Sequence, residues 1–298
     1  MAGLVSGDCV GAHHRLRNSY PGETRAGNMD TPGGISARMA AEEGELFIED
    51  CGFGPAVVLL HGTPSLPGDF QPLVDALAPR HRVLVPHLPG YGKTPPDSNA
   101  NPRSLYGVIA RLEDQLTRSG LSEMAVVGFS GGAYKAVAMA LRARVAVHRL
   151  ALIAPVIGLD PPAARFYREM ATAVQAGAFD PKPTWLDRMA SPGIAERDPA
   201  AASRILAWLD AVSLSVVCDE LVAVASAPDL RCRVAELACP LLVIAGMADQ
   251  AVPPDSSEAV AASCSRGAFL PIEAAGHALL VEAPERMIRV LVEFLAKG

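Results

Sequence analysis

A serine hydroxyl can attack a carbonyl carbon only where the chain exposes it next to a base and next to donors for the oxygen that gains charge. Residues Val126-Val127-Gly128-Phe129-Ser130-Gly131-Gly132-Ala133 could provide that setting, because an apolar run enters the pattern G-x-S-x-G and passes straight into a helical stretch. A strand-to-helix turn this sharp leaves no room for β-carbons at Gly128 and Gly132. It also brings the Gly131 amide to a helix N-terminus, where it would stabilise a developing oxyanion. The hydroxyl needs a base, and the base needs an acid to orient it. His277, in Glu273-Ala274-Ala275-Gly276-His277, and Asp249, in Gly246-Met247-Ala248-Asp249-Gln250, each lie just past a strand-like run. In a parallel sheet such positions project from one rim, and Ser, Asp, His is the chain order that accompanies this elbow. Asp160 and Asp255 compete for the role of acid, and we take Asp249. For a second oxyanion donor we take the amide of Thr63 in His61-Gly62-Thr63-Pro64, since Pro64 has no N–H and Gly62 permits close approach.

These residues need a scaffold, and the apolar pattern supplies one. Ala56-Val57-Val58-Leu59-Leu60, Val83-Leu84-Val85, Ala125-Val126-Val127, Leu150-Ala151-Leu152-Ile153 and Leu241-Leu242-Val243-Ile244 are continuous rather than alternating, as strands covered on both faces require. Helices are predicted between them at 68–78, 103–119, 131–144, 255–263 and 284–296, several opening with Pro or an acidic residue. The fold class is therefore α/β, a mostly parallel open sheet flanked by helices. Residues 158–229 break the rhythm with helical pattern alone, divided by Pro161-Pro162, Pro181, Pro183, Pro192 and Pro199. Such an insertion is expected over the carboxyl ends of the strands, as a helical cap on the ligand site. The expected organisation is a poorly structured leader over 1–43, a core over 44–157 and 230–298, and the cap over 158–229.

Composition narrows the function classes. The chain has 298 residues, 50% hydrophobic and 19% charged, with a formal net charge of −6 and no long Lys/Arg run, so nucleic acid is not an expected partner. Uncharged stretches are too short or too punctuated for a membrane span, and the first residues lack the pattern of a secretory signal, so a cytoplasmic protein is expected. The six cysteines, Cys9, Cys51, Cys218, Cys232, Cys239 and Cys264, are spread without metal-ligand spacing and read as thiols. No metal or cofactor is expected, and the expected partner is a small-molecule substrate. Phe166, Met170, Trp185, Met189 and Trp208 of the insertion read as cap core, and any that reach the cavity would favour a partly apolar substrate.

From about Gly44 onward the chain resembles the α/β-hydrolase fold superfamily, on the elbow around Ser130, the His61-Gly62 loop, and Asp249 and His277 after their strands. The resemblance implies Ser130 as nucleophile, His277 as base, Asp249 as acid, and the amides of Thr63 and Gly131 as oxyanion hole. It identifies the insertion with the family's cap, and the implied activity is hydrolysis of an ester, lactone or related acyl bond. The loop His87-Leu88-Pro89-Gly90-Tyr91-Gly92-Lys93-Thr94 departs from the family's D-x-P-G-x-G-x-S, with His87 in place of the acidic residue. Members that cleave carbon–halogen bonds or epoxides carry Asp where Ser130 stands, so those chemistries are disfavoured. The same scaffold also serves C–C bond hydrolases, cofactor-free haloperoxidases and small-ligand sensors with little turnover. A histidine base must be neutral, so activity is expected to fall below about pH 6.5.

Overall fold

The computed structural model describes residues 37–39, 44–97 and 104–297. In chain order the sheet strands and their helices are β1 (Ala37–Met39), β2 (Ile48–Cys51), β3 (Ala56–Leu60), α1 (Gln71–Leu77), β4 (Arg82–Pro86), α2 (Leu105–Arg118), β5 (Glu123–Phe129), α3 (Gly131–Arg142) and β6 (Ala146–Ile153). A helical insertion follows, with α4 (Pro161–Gln175), α5 (Pro181–Met189), α6 (Ile194–Arg197), α7 (Pro199–Ala211) and α8 (Leu214–Ser226). The chain then returns to the sheet with β7 (Leu241–Gly246), α9 (Pro254–Ala262), β8 (Gly267–Ile272), α10 (Leu279–Glu282) and α11 (Pro284–Leu295).

Among the described residues the sheet has eight strands in the order β1-β2-β4-β3-β5-β6-β7-β8. It is antiparallel from β1 to β2 and from β2 to β4, and parallel from β4 through β8. Every residue of β3 and β7 is buried, as is β5 beyond Glu123, because helices cover both faces. Each fully buried Val, Leu or Ile in these strands contributes roughly 1.5–3 kcal/mol. The helices dock by apolar stripes. On α11, Met287, Leu291 and Leu295 recur every fourth residue and are buried, while Pro284 opens the helix where its missing N–H costs nothing. On α2, Ser104 caps the N-terminus by accepting from Gly107 N, and Leu105, Val108, Ile109, Leu112 and Leu116 face the core.

Two strands escape the apolar pattern. β2 carries Glu49 and Asp50, which pair with His87 and Arg82. β1 falls inside the stretch expected to be a poorly structured leader, and it pairs Ala37–Met39 with Asp50–Ile48. The other leader residues, Cys9 and the Arg103 start expected for α2 lie outside the described residues. The helix expected over 68–78 begins as a 3-10 turn, Pro67–Phe70, before α1. Pro72 lacks the N–H group that a single continuous helix would use there.

Candidate active site

The strand β5 delivers Ser130 at the top of the sheet with φ 51° and ψ −119°, a backbone conformation that costs a non-glycine residue about 1–3 kcal/mol. The surroundings over-determine it: Ser130 N donates to Ile153 O at 2.9 Å, while Ser130 O accepts from Ala133 N at 2.9 Å and from Val156 N at 3.2 Å. Small residues allow the crowding. A Cβ on Gly132 would lie 2.2 Å from Leu60 O, and one on Gly62 would lie 2.8 Å from Ser130 Cβ. The loop after β3 can therefore pass directly beside the hydroxyl.

The structure brings Ser130, His277 and Asp249 into one hydrogen-bonded chain. Ser130 Oγ donates to His277 Nε2 at 2.8 Å, and His277 Nδ1 donates to Asp249 Oδ2 at 2.8 Å. A carboxylate can only accept, so Nδ1 carries the proton and Nε2 is left as an acceptor. Asp249 Oδ1 in turn accepts from Ala251 N at 2.7 Å and Val252 N at 2.9 Å, so the acid is held by its own loop. All three residues are buried, the side chains of His277 and Asp249 at 1% and 0% exposure. Phe129 packs against the imidazole with ring centroids 5.5 Å apart. Asp160 instead caps α4 by accepting from Ala163 N, and Asp255 lies in the first turn of α9.

Thr63 and Gly131 meet on the other side of Ser130: a Cβ on Gly131 would lie 3.5 Å from Thr63 Oγ1. Both line a small cavity together with Ser130 and Val156. The insertion supplies the remaining wall through Tyr167, Trp185, Met189, Leu221 and Val224, so Trp185 and Met189 are cavity residues as well as core. Thr63 Oγ1 is buried there without a hydrogen-bond partner.

Two polar clamps hold this assembly, and neither was anticipated from the sequence. Glu282 on α10 accepts from Gly276 N at 3.0 Å through one oxygen and from Ser191 N at 3.0 Å and Ser191 Oγ through the other. With Ala278 N donating to Met189 O at 2.7 Å, the loop bearing His277 is strapped to the end of α5. The second clamp lies behind the oxyanion side. Lys135 Nζ of α3 donates to Glu220 Oε1 of α8 at 2.7 Å, and Tyr91 OH donates to Glu220 Oε2 at 2.7 Å. Burial acts to raise the Glu220 carboxyl, but the Lys135 charge and the hydrogen bonds from Lys135 and Tyr91 outweigh it and hold the group well below the ordinary carboxylate range. The Tyr91 ring stands 4.6 Å from that of His61, whose Nδ1 donates to Gly62 O at 3.0 Å and whose Nε2 accepts from Leu88 N at 3.2 Å. Burial pushes the His61 imidazole down from 6.5 to about 4, so it is neutral and serves as a strut for the Gly62-Thr63 loop. A signal for the second clamp does exist in the sequence: Lys135 is the one charge in Gly131–Leu141, and Glu220, next to Asp219, stands among the otherwise mostly apolar residues Leu214–Ser226. His87 takes up its departure from the family loop by pairing Nε2 with Glu49 at 3.1 Å and accepting from Lys93 N at Nδ1 at 2.9 Å.

Comparisons with known proteins show which family and fold the chain shares. A family model described as alpha/beta hydrolase fold matches residues 55–284. A pimeloyl-(acyl-carrier protein) methyl ester esterase of Xanthomonas campestris pv. campestris is 32% identical over 264 residues, covering 84% of this chain and 99% of that protein. Among solved structures, a thermophilic esterase from Thermogutta terrifontis aligns with a TM-score of 0.77 at 26% identity, covering 85% of this chain and 93% of that one. An enol-lactonase from Burkholderia xenovorans LB400 shares the fold with a TM-score of 0.77 at 21% identity, over 87% of this chain and 100% of that one.

Proposed function

The chain belongs to the alpha/beta hydrolase fold family and is an ester hydrolase, and on that premise we propose that it works through an acyl-enzyme formed on Ser130. The observation that carries this reading is the unbroken chain from Ser130 Oγ through His277 to Asp249, each link 2.8 Å. Ser130 Oγ attacks the ester carbonyl as His277 Nε2 takes its proton, and the resulting imidazolium is stabilised by Asp249. The imidazolium then gives that proton to the departing alcohol. A water enters, gives a proton to the same nitrogen and bonds to the acyl carbon, and the Ser130 Oγ–carbon bond breaks as the imidazolium returns that proton to Oγ, which releases the carboxylic acid. The amides of Thr63 and Gly131 receive the oxyanion, the latter at the first turn of α3 where N–H groups have no intrahelical partner. Each such donor is worth roughly 10²–10³ in rate.

The substrate in this reading is a small carboxylic ester with a short acyl group, since the cavity beside Ser130 is small and walled by Met189, Leu221 and Val224. A small alcohol such as methanol is the proposed leaving group, in keeping with the methyl ester named for the Xanthomonas relative. The helical insertion acts as the cap of the site, because its side chains form one wall of that cavity. No described helix is long and apolar enough to cross a membrane. A cytoplasmic setting is proposed, where the free thiols Cys51, Cys218, Cys232, Cys239 and Cys264 stay reduced.

Rapid mixing with p-nitrophenyl acetate tests the two-step scheme. The expected trace is a burst of nitrophenolate close to one equivalent per protein, followed by slower steady turnover. Release with no dependence on Ser130 would contradict it, and a stoichiometric burst with no turnover would mark a sensor instead of an enzyme.

A further inference from the structure

The cavity wall contributed by the insertion is not purely apolar. Trp185, on α5, is 2% exposed and lines the cavity, yet its indole Nε1–H has no hydrogen-bond partner. Leaving a buried donor unpaired costs about 1–3 kcal/mol, and native folds rarely tolerate it without a reason. Tyr167, on α4, lines the same cavity and is likewise buried. Burial raises its phenol pKa, and the positive charge of the nearby Arg188 guanidinium opposes that shift. A phenol hydroxyl has its own hydrogen to give, and a nearby positive charge polarises it for a strong onward bond. Arg188 lies one helical turn beyond Trp185 on α5, 4.8 Å above the Phe166 ring, and its Nε is also buried without a partner. The core wall, in contrast, offers its unpaired hydroxyl at Thr63, beside Gly131 and Ser130.

Resting on the acyl-enzyme reading, we propose that the preferred acyl group carries a second carbonyl-type oxygen, a ketone or carboxylate a short chain away from the scissile ester, which the Trp185 and Tyr167 donors receive. The reacting carbonyl lies between Ser130 and the Thr63 side, while the second oxygen meets the cap wall. The intervening methylenes lie against Met189, Leu221 and Val224. The Arg188 charge behind Tyr167 favours an oxygen that is anionic or strongly polarised. Discrimination follows from the same physics: a site with committed donors disfavours an alkyl analogue, which would leave those donors unpaired in the complex.

Three methyl esters of matched length test this: methyl valerate, with a plain alkyl chain, methyl levulinate, with a ketone, and monomethyl succinate, with a carboxylate. The wild-type protein is expected to favour at least one oxygenated ester over the valerate by about 10- to 100-fold in kcat/KM. Preference for the levulinate alone identifies a ketone as the second oxygen, and preference for the succinate identifies a carboxylate. Trp185→Phe and, independently, Tyr167→Phe should each shrink that preference by about tenfold while a fluorophosphonate still labels Ser130. Equal handling of all three esters by the wild type, turnover of none of them, or an undiminished preference in both variants would overturn the proposal. If Ser130→Ala retained turnover of all three esters, the acyl-enzyme reading itself would fall, a result separable from the others.

Discussion

Ser130→Ala lowers kcat/KM for a methyl ester by about 10⁴-fold or more, to a residue of activity that substrate binding and the oxyanion donors alone provide. The size follows from what remains. With the hydroxyl gone, the His277 Nε2 acceptor has no nucleophile to activate, although the ring stays held by Asp249 and packed against Phe129. The backbone at the elbow is fixed by Ile153 O, Ala133 N and Val156 N, none of which involves the hydroxyl, so the variant keeps its fold and its unfolding temperature. Asp249→Asn is expected to lose activity on a similar scale, about 10⁴-fold, because an amide nitrogen facing Nδ1 favours the wrong imidazole tautomer. Activity in Ser130→Ala within tenfold of wild type would remove Ser130 from the chemistry.

Lys135→Met lowers the unfolding free energy by about 3–5 kcal/mol, since it leaves the Glu220 carboxylate buried without its cation. Lys135 and Glu220 side chains are 2% and 6% exposed, so solvent cannot replace the lost partner. The double variant Lys135→Met with Glu220→Leu should recover most of that loss, because two matched apolar groups bring no uncompensated charge. Urea denaturation of the two variants and wild type reads the coupling, and a single variant as stable as wild type would contradict it. The same network sets an acid limit. His61 is held neutral in the fold with a value of about 4 against 6.5 when exposed, so its contribution is complete above pH 6.5 and is lost as pH falls towards 4. That difference corresponds to roughly 3 kcal/mol. Glu220 is held below its ordinary range, so its contribution is complete above about pH 4.5 and declines below that. Stability unchanged between pH 7 and 4 would argue against the buried neutral imidazole.

The parts legible in the sequence are those set by local chemistry. Val57–Leu60, Val126–Phe129 and Leu241–Gly246 announce covered strands because nothing polar interrupts them; Asp249 was singled out because it closely follows the last of these, and His277 because it closely follows the strand-like Gly267–Ile272, which is largely uncovered in the fold. The elbow was readable because sterics allow few residues besides glycine at 128 and 132. What escaped depends on docking between distant segments. Glu220 and Lys135 are 85 positions apart, and only the packing of α8 on α3 joins them. Glu282 lies five residues beyond His277, yet its role appears only when the end of α5 passes beside Gly276. β2 was missed because Glu49 and Asp50 look like loop residues until Arg82 and His87 pair with them. The Trp185 indole reads from sequence as one more apolar side chain, and its unpaired N–H emerges only in the folded cavity.

In the proposed mechanism Ser130 Oγ is the atom that bonds to the acyl group. Acid quenching of the protein during turnover of a slow activated ester, followed by peptide mass mapping, tests this directly. The expected result is the mass of one acyl group on the peptide containing Ser130, absent in Ser130→Ala. Turnover with that peptide unmodified at every quench time, or with the acyl group on another residue, would contradict it.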